Sequence, residues 1–187
     1  MLTDIKKIVL IGPESTGKST LCEKLAAHFN TLWVPEHARA YLNENGTDYT
    51  LDDLTIIARK QIEQEDELAR QLKNKHSGAQ TPLLFIDTDL YVMKVWSEFV
   101  FGSCHSEILN GIVHRQYELY LLCEPDIPWV KDELREYPDL ITRDRLYHHY
   151  KDAMIHQHVP WVNISGDYAN RLKVAIEAVE EYLMLDA

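Results

Sequence analysis

A chain of 187 residues, 45% hydrophobic, has room for one α/β domain with a full core and none for a second catalytic domain of ordinary size. Its 30 acidic and 19 basic residues give a net charge of −11, which excludes a broad attraction to nucleic acid or to an anionic membrane, so anionic substrates must be held by local cations. An early apolar run of only strand length, no apolar stretch near 18 residues, and three cysteines (Cys22, Cys104, Cys123) without C-x-x-C spacing predict a cytoplasmic protein, neither secreted nor membrane-spanning.

The first element is a β-branched apolar run at residues 8–11, read as a buried strand. It leads into Gly12-Pro13-Glu14-Ser15-Thr16-Gly17-Lys18-Ser19, which fits G-x-x-x-x-G-K-[ST], and residues 19–29 continue with helical spacing. Strand, glycine loop and helix together predict a triphosphate site. Glycines let backbone N–H groups turn onto phosphate oxygens, and the helix N-terminus adds partial positive charge. Gly12, Glu14, Ser15, Thr16, Gly17, Lys18, Ser19 and Thr20 are the candidate ATP contacts, with Lys18 reaching the β- and γ-phosphates and the Ser19 hydroxyl holding Mg²⁺.

A second strand is expected at residues 31–34, followed by Pro35-Glu36-His37-Ala38-Arg39 at the start of a helix over 36–45. In a parallel sheet the ligand lies beyond the C-terminal strand ends. Glu36 would accept a proton from an attacking hydroxyl there, a role that Asp87 at the end of the third strand would also serve, and Arg39 would grip a phosphate or the acceptor. The plain alternative is a helix-start acid with an i, i+3 ion pair. Thr50-Leu51-Asp52-Asp53 reads as a capping signal for a long helix over 51–75, and residues 74–82 read as a loop. The third strand, residues 83–86, ends in Asp87-Thr88-Asp89, a Walker-B-like pattern in which Asp87 would reach the Mg²⁺ shell. Its plain alternative is a helix N-cap, a role that Thr88 or Asp89 would also serve.

Helices over 90–101 and 106–115 precede a fourth strand at 118–123. The irregular segment 124–139 comes next, and Arg143-Asp144-Arg145 is read as opening a helix over 143–156. Arg135, Arg143 and Arg145 on a lid spanning about 125–147 would close over the γ-phosphate and exclude water. A fifth strand at 161–164 and a helix over 168–185 complete a five-stranded parallel α/β pattern, with helices on both sheet faces. Trp129, in a polar proline-bounded loop, is the preferred ring-stacking residue, ahead of Trp96, Tyr91 and Tyr41. The nine histidines lack H-x-x-x-H spacing and predict no metal site of their own.

The loop at Gly12 to Ser19, Val34-Pro35-Glu36-His37-Ala38-Arg39-Ala40-Tyr41-Leu42, Asp87-Thr88-Asp89, Gly102 and Trp129-Val130-Lys131-Asp132-Glu133-Leu134-Arg135 resemble the ribosylnicotinamide kinase domain of bacterial bifunctional NAD-salvage and regulator proteins. The resemblance covers most of the chain. It implies a P-loop kinase fold and transfer of the ATP γ-phosphate to the 5′-hydroxyl of nicotinamide riboside, with the acceptor near Glu36, Arg39, Asp89, Trp129 and Asp132. Glu133 stands where the family often has glycine, and these residues hold no H-x-G-H-type motif, so adenylylation and repression are not carried over. A kinase for another nucleoside, nucleotide or small metabolite remains open, as does a nucleotide-dependent regulatory ATPase. N-K-x-D and D-x-x-G signals of a GTPase switch are absent from the sequence.

Overall fold

All five apolar runs are strands in a computed structural model, which describes residues 5–75 and 81–183. The elements run β1 (Lys6–Ile11), α1 (Lys18–His28), β2 (Leu32–Val34), α2 (His37–Asn45), α3 (Leu51–Lys75), β3 (Leu83–Asp87), α4 (Leu90–Phe101), α5 (Ser106–His114), β4 (Leu119–Cys123), α6 (Leu140–Ile155), β5 (Trp161–Ile164) and α7 (Tyr168–Leu183). Every pairing is parallel and the strand order is β2-β3-β1-β4-β5. Central β1 pairs Ile8 with Phe85 on one side and with Leu119 on the other. Parallel strands covered on both faces need apolar side chains throughout, and β3 and β4 are buried at every position.

Alternation along each strand divides the core. Ile8, Leu10, Phe85, Leu119 and Leu121 pack against α1 and α7 through Leu21, Leu25, Ala175 and Val179. Val9, Ile11, Leu84, Ile86, Tyr120 and Leu122 face the other helices through Leu54, Ile57, Val92, Ile108, Leu146 and Tyr150. The expected two-faced α/β architecture is therefore the observed one. Local signals fix the helix ends: Thr50 N–H donates to the Asp53 carboxylate at 2.8 Å while Asp53 N–H donates to the Thr50 hydroxyl at 3.3 Å, a reciprocal cap for α3.

Several boundaries shift by a residue or two, and one shifts by about a turn. Arg143 does not open α6; the helix begins a turn earlier at Leu140, because the Asp139 carboxylate accepts from Thr142 N–H at 2.7 Å and caps it. Helix α3 runs through Lys75, and residues 76–80 of the expected loop and 184–185 of the expected last helix lie outside the described residues. No helix among the described residues is long and apolar enough to cross a membrane. Since all strands point the same way, Gly12, Pro35, Asp87 and Glu124 leave the sheet along one edge.

Candidate active site

The loop after β1 takes its shape from two glycines. Gly12 has φ +136°, and a Cβ there would lie 2.5 Å from the Cys123 carbonyl oxygen, so the loop passes over the end of β4 only without a side chain. Gly17, at φ +79°, sets the left-handed N-cap of α1. The Thr16 hydroxyl donates to the Pro13 carbonyl at 2.8 Å, and Lys18 Nζ donates to the Gly12 and Pro13 carbonyls at 3.0 and 2.8 Å. Ser19 and Thr20 are exposed in the first turn of α1 and, with the loop, line a cavity at this edge of the sheet.

A residue that sequence reading missed holds this loop in place. Arg171 of α7, 2% exposed, donates to the Thr16, Gly166 and Glu124 carbonyls at 3.1, 2.7 and 2.9 Å and pairs with Asp126. It ties the phosphate loop to the ends of β4 and β5. The available signal was a charge on the apolar stripe of a helix, four residues before Ala175 and eight before Val179.

Asp87 ends β3 inside the protein, 1% exposed, and neither carboxylate oxygen completes a hydrogen bond. Burial, then the nearby Glu36 carboxylate, push its pKa up to about 7; Lys18, the Ser19 hydroxyl and Arg39 pull in the opposite direction. Glu36 is the N-cap residue of α2, but its side chain caps nothing and lines the cavity instead. Arg39 also lines the cavity, without the i, i+3 pair to Glu36: it meets both Asp132 oxygens at 3.2 and 3.0 Å, joining α2 to the 124–139 segment.

Asp89 is a correction. It points into the core, 2% exposed, accepting from Tyr91 N–H at 2.9 Å and the Tyr120 hydroxyl at 2.8 Å, so it caps α4 instead of reaching a substrate. Burial pushes its pKa up to about 7 against the lowering pull of both bonds.

The segment between β4 and α6 lies over the phosphate loop. Glu14 accepts from Tyr137 N–H at 2.7 Å, Glu136 N–H at 3.0 Å and the Trp129 indole at 3.4 Å, and the Ser15 hydroxyl accepts from Val130 N–H at 3.1 Å. Trp129 is therefore engaged with Glu14 of the loop and is not among the walls of the cavity, a second correction. Trp96, Phe99, Tyr137 and Tyr150 form the aromatic wall, with the Trp96 indole donating to the Tyr49 hydroxyl at 2.8 Å. Tyr41, bonded to Asp53, and Tyr91, edge-on to Tyr120, lie elsewhere. Glu133 is not among the residues with positive φ, so that position makes no demand for glycine.

The three arginines separate. Arg135 lines the cavity and donates to the Val130 carbonyl. Arg143 is 4% exposed on the buried side of α6, with Nε and Nη1 unpartnered, one turn before Leu146 of the cavity wall. Arg145 is exposed on another face, its guanidinium 5.7 Å from the Phe99 ring centroid, and does not line the cavity. The cavity holds about 220 Å³ and is lined by the phosphate loop and by the aromatic wall together. Asp87 and Ser19 are a hard-oxygen pair suited to Mg²⁺, with the orphaned Asp87 oxygens available as ligands. No group of three or more His, Cys, Asp or Glu residues among the described residues has the arrangement of a metal cluster.

A family model described as an AAA domain matches residues 7–171. The chain is 28% identical over 184 residues to the trifunctional NAD biosynthesis/regulator protein NadR of Escherichia coli, and 26% identical over 186 residues to that of Salmonella typhimurium. Each alignment covers 96% of this chain but only 43% of the relative. Crystal structures of NadR protein in complex with NR, and with NAD and AMP-PNP, superpose with TM-scores of 0.73 and 0.72 at 21% and 20% identity, over 97% of this chain and 50% of theirs. Thymidylate kinase from Ehrlichia chaffeensis superposes with a TM-score of 0.65 at 15% identity, over 94% of this chain and 98% of its own, so the fold is that of the P-loop kinases.

Asp89 and Asp87 make stability depend on pH. The folded chain keeps their protons up to about pH 7, whereas an unfolded chain releases them near pH 4, so stability falls as pH rises through that window. Asp89→Asn is expected to flatten the fall and to melt above the unsubstituted protein at pH 8. Melting curves from pH 4 to 8 check this; a variant that melts lower at pH 8 with the slope unchanged contradicts it.

Proposed function

The chain belongs to the AAA domain family, and from that premise we propose that it transfers the γ-phosphate of ATP to the 5′-hydroxyl of nicotinamide riboside, giving nicotinamide mononucleotide. One observation carries the reading: a phosphate loop and an aromatic compartment share a single cavity, with Glu36 and Arg39 among its walls and Asp87 close to Glu36. A nucleotide-dependent switch needs the first compartment alone, whereas a transferase needs both. The names of the relatives, which include NAD biosynthesis, and the NR complex of a similar structure support the choice of acceptor.

In this mechanism the backbone N–H groups from Gly12 to Ser19 bind the triphosphate, and Lys18 leaves its loop carbonyls for the β- and γ-phosphate oxygens. Ser19 and Asp87 would hold Mg²⁺, which supplies charge neutralisation on the phosphates when bound. The pyridinium ring of the acceptor lies against Trp96 and its aromatic neighbours, where cation–π attraction contributes ~1–2 kcal/mol once water is excluded. Glu36 orients the 5′-hydroxyl and accepts its proton as the oxygen attacks the γ-phosphorus in line and the bond to the ADP oxygen breaks. The segment between β4 and α6 acts as the lid, whereas residues 140–147 belong to α6 and its core packing: Arg135 closes over the transferring group, while Glu14 and Ser15 hold the segment down through its backbone.

Incubation with ATP, Mg²⁺ and a panel of nucleosides, nucleotides and small metabolites tests the reading. Nicotinamide riboside is expected to be phosphorylated and to give the highest kcat/KM; turnover of another acceptor in its place, or hydrolysis that no acceptor stimulates, overturns it. Lys18→Ala is expected to abolish turnover with little change in melting temperature, since this charge serves phosphate and not the core. Glu36→Gln should lower kcat by about 100-fold, in the range of a lost general base, with ATP affinity within about twofold. Isothermal titration with ATP beside steady-state rates checks both; intact kcat with lost ATP binding contradicts the role of Glu36.

A further inference from the structure

Helix α3 carries a buried side chain with no part in the chemistry above that touches both catalytic segments. Gln61 is 3% exposed. Its Oε1 accepts from His37 N–H at 2.8 Å, immediately after Glu36, and its Nε2 donates to the Asp87 and Thr88 carbonyls at 3.4 and 3.2 Å. One amide thus bridges the ends of β2 and β3, which carry Glu36 and Asp87.

The β3 end needs holding. Thr88 has φ +71°, a left-handed conformation rarely adopted by a β-branched residue, which persists only where the surroundings over-determine it. The two carbonyls that Gln61 engages flank the Thr88 Cα, and Thr88 N–H donates to the Leu10 carbonyl of β1 at 3.1 Å. Helix α3 is itself anchored one turn on, where Glu65, 1% exposed, pairs with Lys7 of β1 at 2.9 Å and with Arg115, and accepts from the Tyr117 hydroxyl at 3.0 Å. Gln61 therefore works from a fixed post.

We propose that Gln61 is a positioning residue that sets the separation of Glu36 and Asp87 by clamping the backbone beside each, so that the acceptor hydroxyl and the phosphate loop meet in line. This rests on the phosphotransferase reading above. A displacement near 1 Å at a reacting centre lowers rate by up to about 100-fold without touching the chemistry itself. Gln64, whose side chain hydrogen-bonds only the His37 ring among the described residues, at 2.7 Å, bonds neither clamped backbone segment and serves as the control.

The test compares Gln61→Met, similar in length and volume but without hydrogen bonds, and Gln61→Glu, which keeps the acceptor for His37 N–H but not the amide donor, with Gln64→Ala. Both Gln61 variants are expected to lower kcat for nicotinamide riboside at least about tenfold with KM for ATP within about twofold, while Gln64→Ala stays within about twofold on both. Hydrogen exchange in the ligand-free protein is expected to quicken at the His37 amide in Gln61→Met. Wild-type kcat in either folded Gln61 variant, equal loss of kcat and ATP binding, or failure of both variants to fold overturns the proposal. If the unsubstituted protein phosphorylates no acceptor, the proposed function fails by itself. Exchange then judges the clamp alone, faster exchange at His37 supporting it and unchanged protection overturning it.

Discussion

A carboxylate buried without a hydrogen-bond partner is the constraint on which the rest of this structure turns. Leaving Asp87 in that state opposes folding, because the charged form gives up its hydration and receives no donor in return. The protein responds by raising its affinity for a proton, not by satisfying it, while Lys18 and Ser19 at the start of α1 and Arg39 of α2 supply partial compensation. Asp89, two residues away, is buried as deeply but has both oxygens engaged by Tyr91 and Tyr120. The contrast separates a carboxylate that builds a helix from one kept free, and it is why the loops around Asp87 must be held by other means.

Those means are mostly backbone clamps. Arg171 ties the phosphate loop to the ends of β4 and β5, Glu14 receives the backbone N–H groups of Glu136 and Tyr137, and Gly12 allows β1 and β4 to come within contact where any Cβ would collide. Arg39 and Asp132 add a link from α2 to the same segment, but their partial exposure makes that pair weak on its own, on the order of 0–1 kcal/mol. Its value lies in geometry. With Arg39 turned to Asp132, Glu36 stands without a salt-bridge partner among the described residues, at the junction of the loop and the aromatic wall.

The sequence reveals most of the fold because the signals that specify it are local and periodic. Apolar runs mark the strands, the Thr50 and Asp53 pair marks the start of α3, and the glycine pattern can serve its purpose only between a strand and a helix. Side-chain direction is harder to read. A polar loop suggests an available Trp129 and an apolar helix a buried Trp96, but packing gives the reverse: Glu14 engages the Trp129 indole, while Trp96 on α4 lines the cavity. Asp87 ends β3 and Asp89 caps α4, and the left-handed Thr88 between them is a backbone feature that residue type does not announce. The start of α6 is legible in Asp139 and Thr142, whose capping bond precedes the arginines. Arg171 and Gln61 act through backbone carbonyls far away in sequence, which no motif records.

The central claim is that Glu36 meets the acceptor hydroxyl, with Asp87 beside it on the phosphate side, while the ring lies against Trp96. A crystal structure of the protein with nicotinamide riboside, Mg²⁺ and a non-hydrolysable ATP analogue measures that arrangement directly. The account predicts the 5′-hydroxyl within hydrogen-bond distance of Glu36, in line with the γ-phosphate, and the pyridinium ring stacked on the Trp96 side of the cavity. An acceptor bound outside this cavity, or a 5′-hydroxyl turned away from both carboxylates in a complete ternary complex, would contradict it.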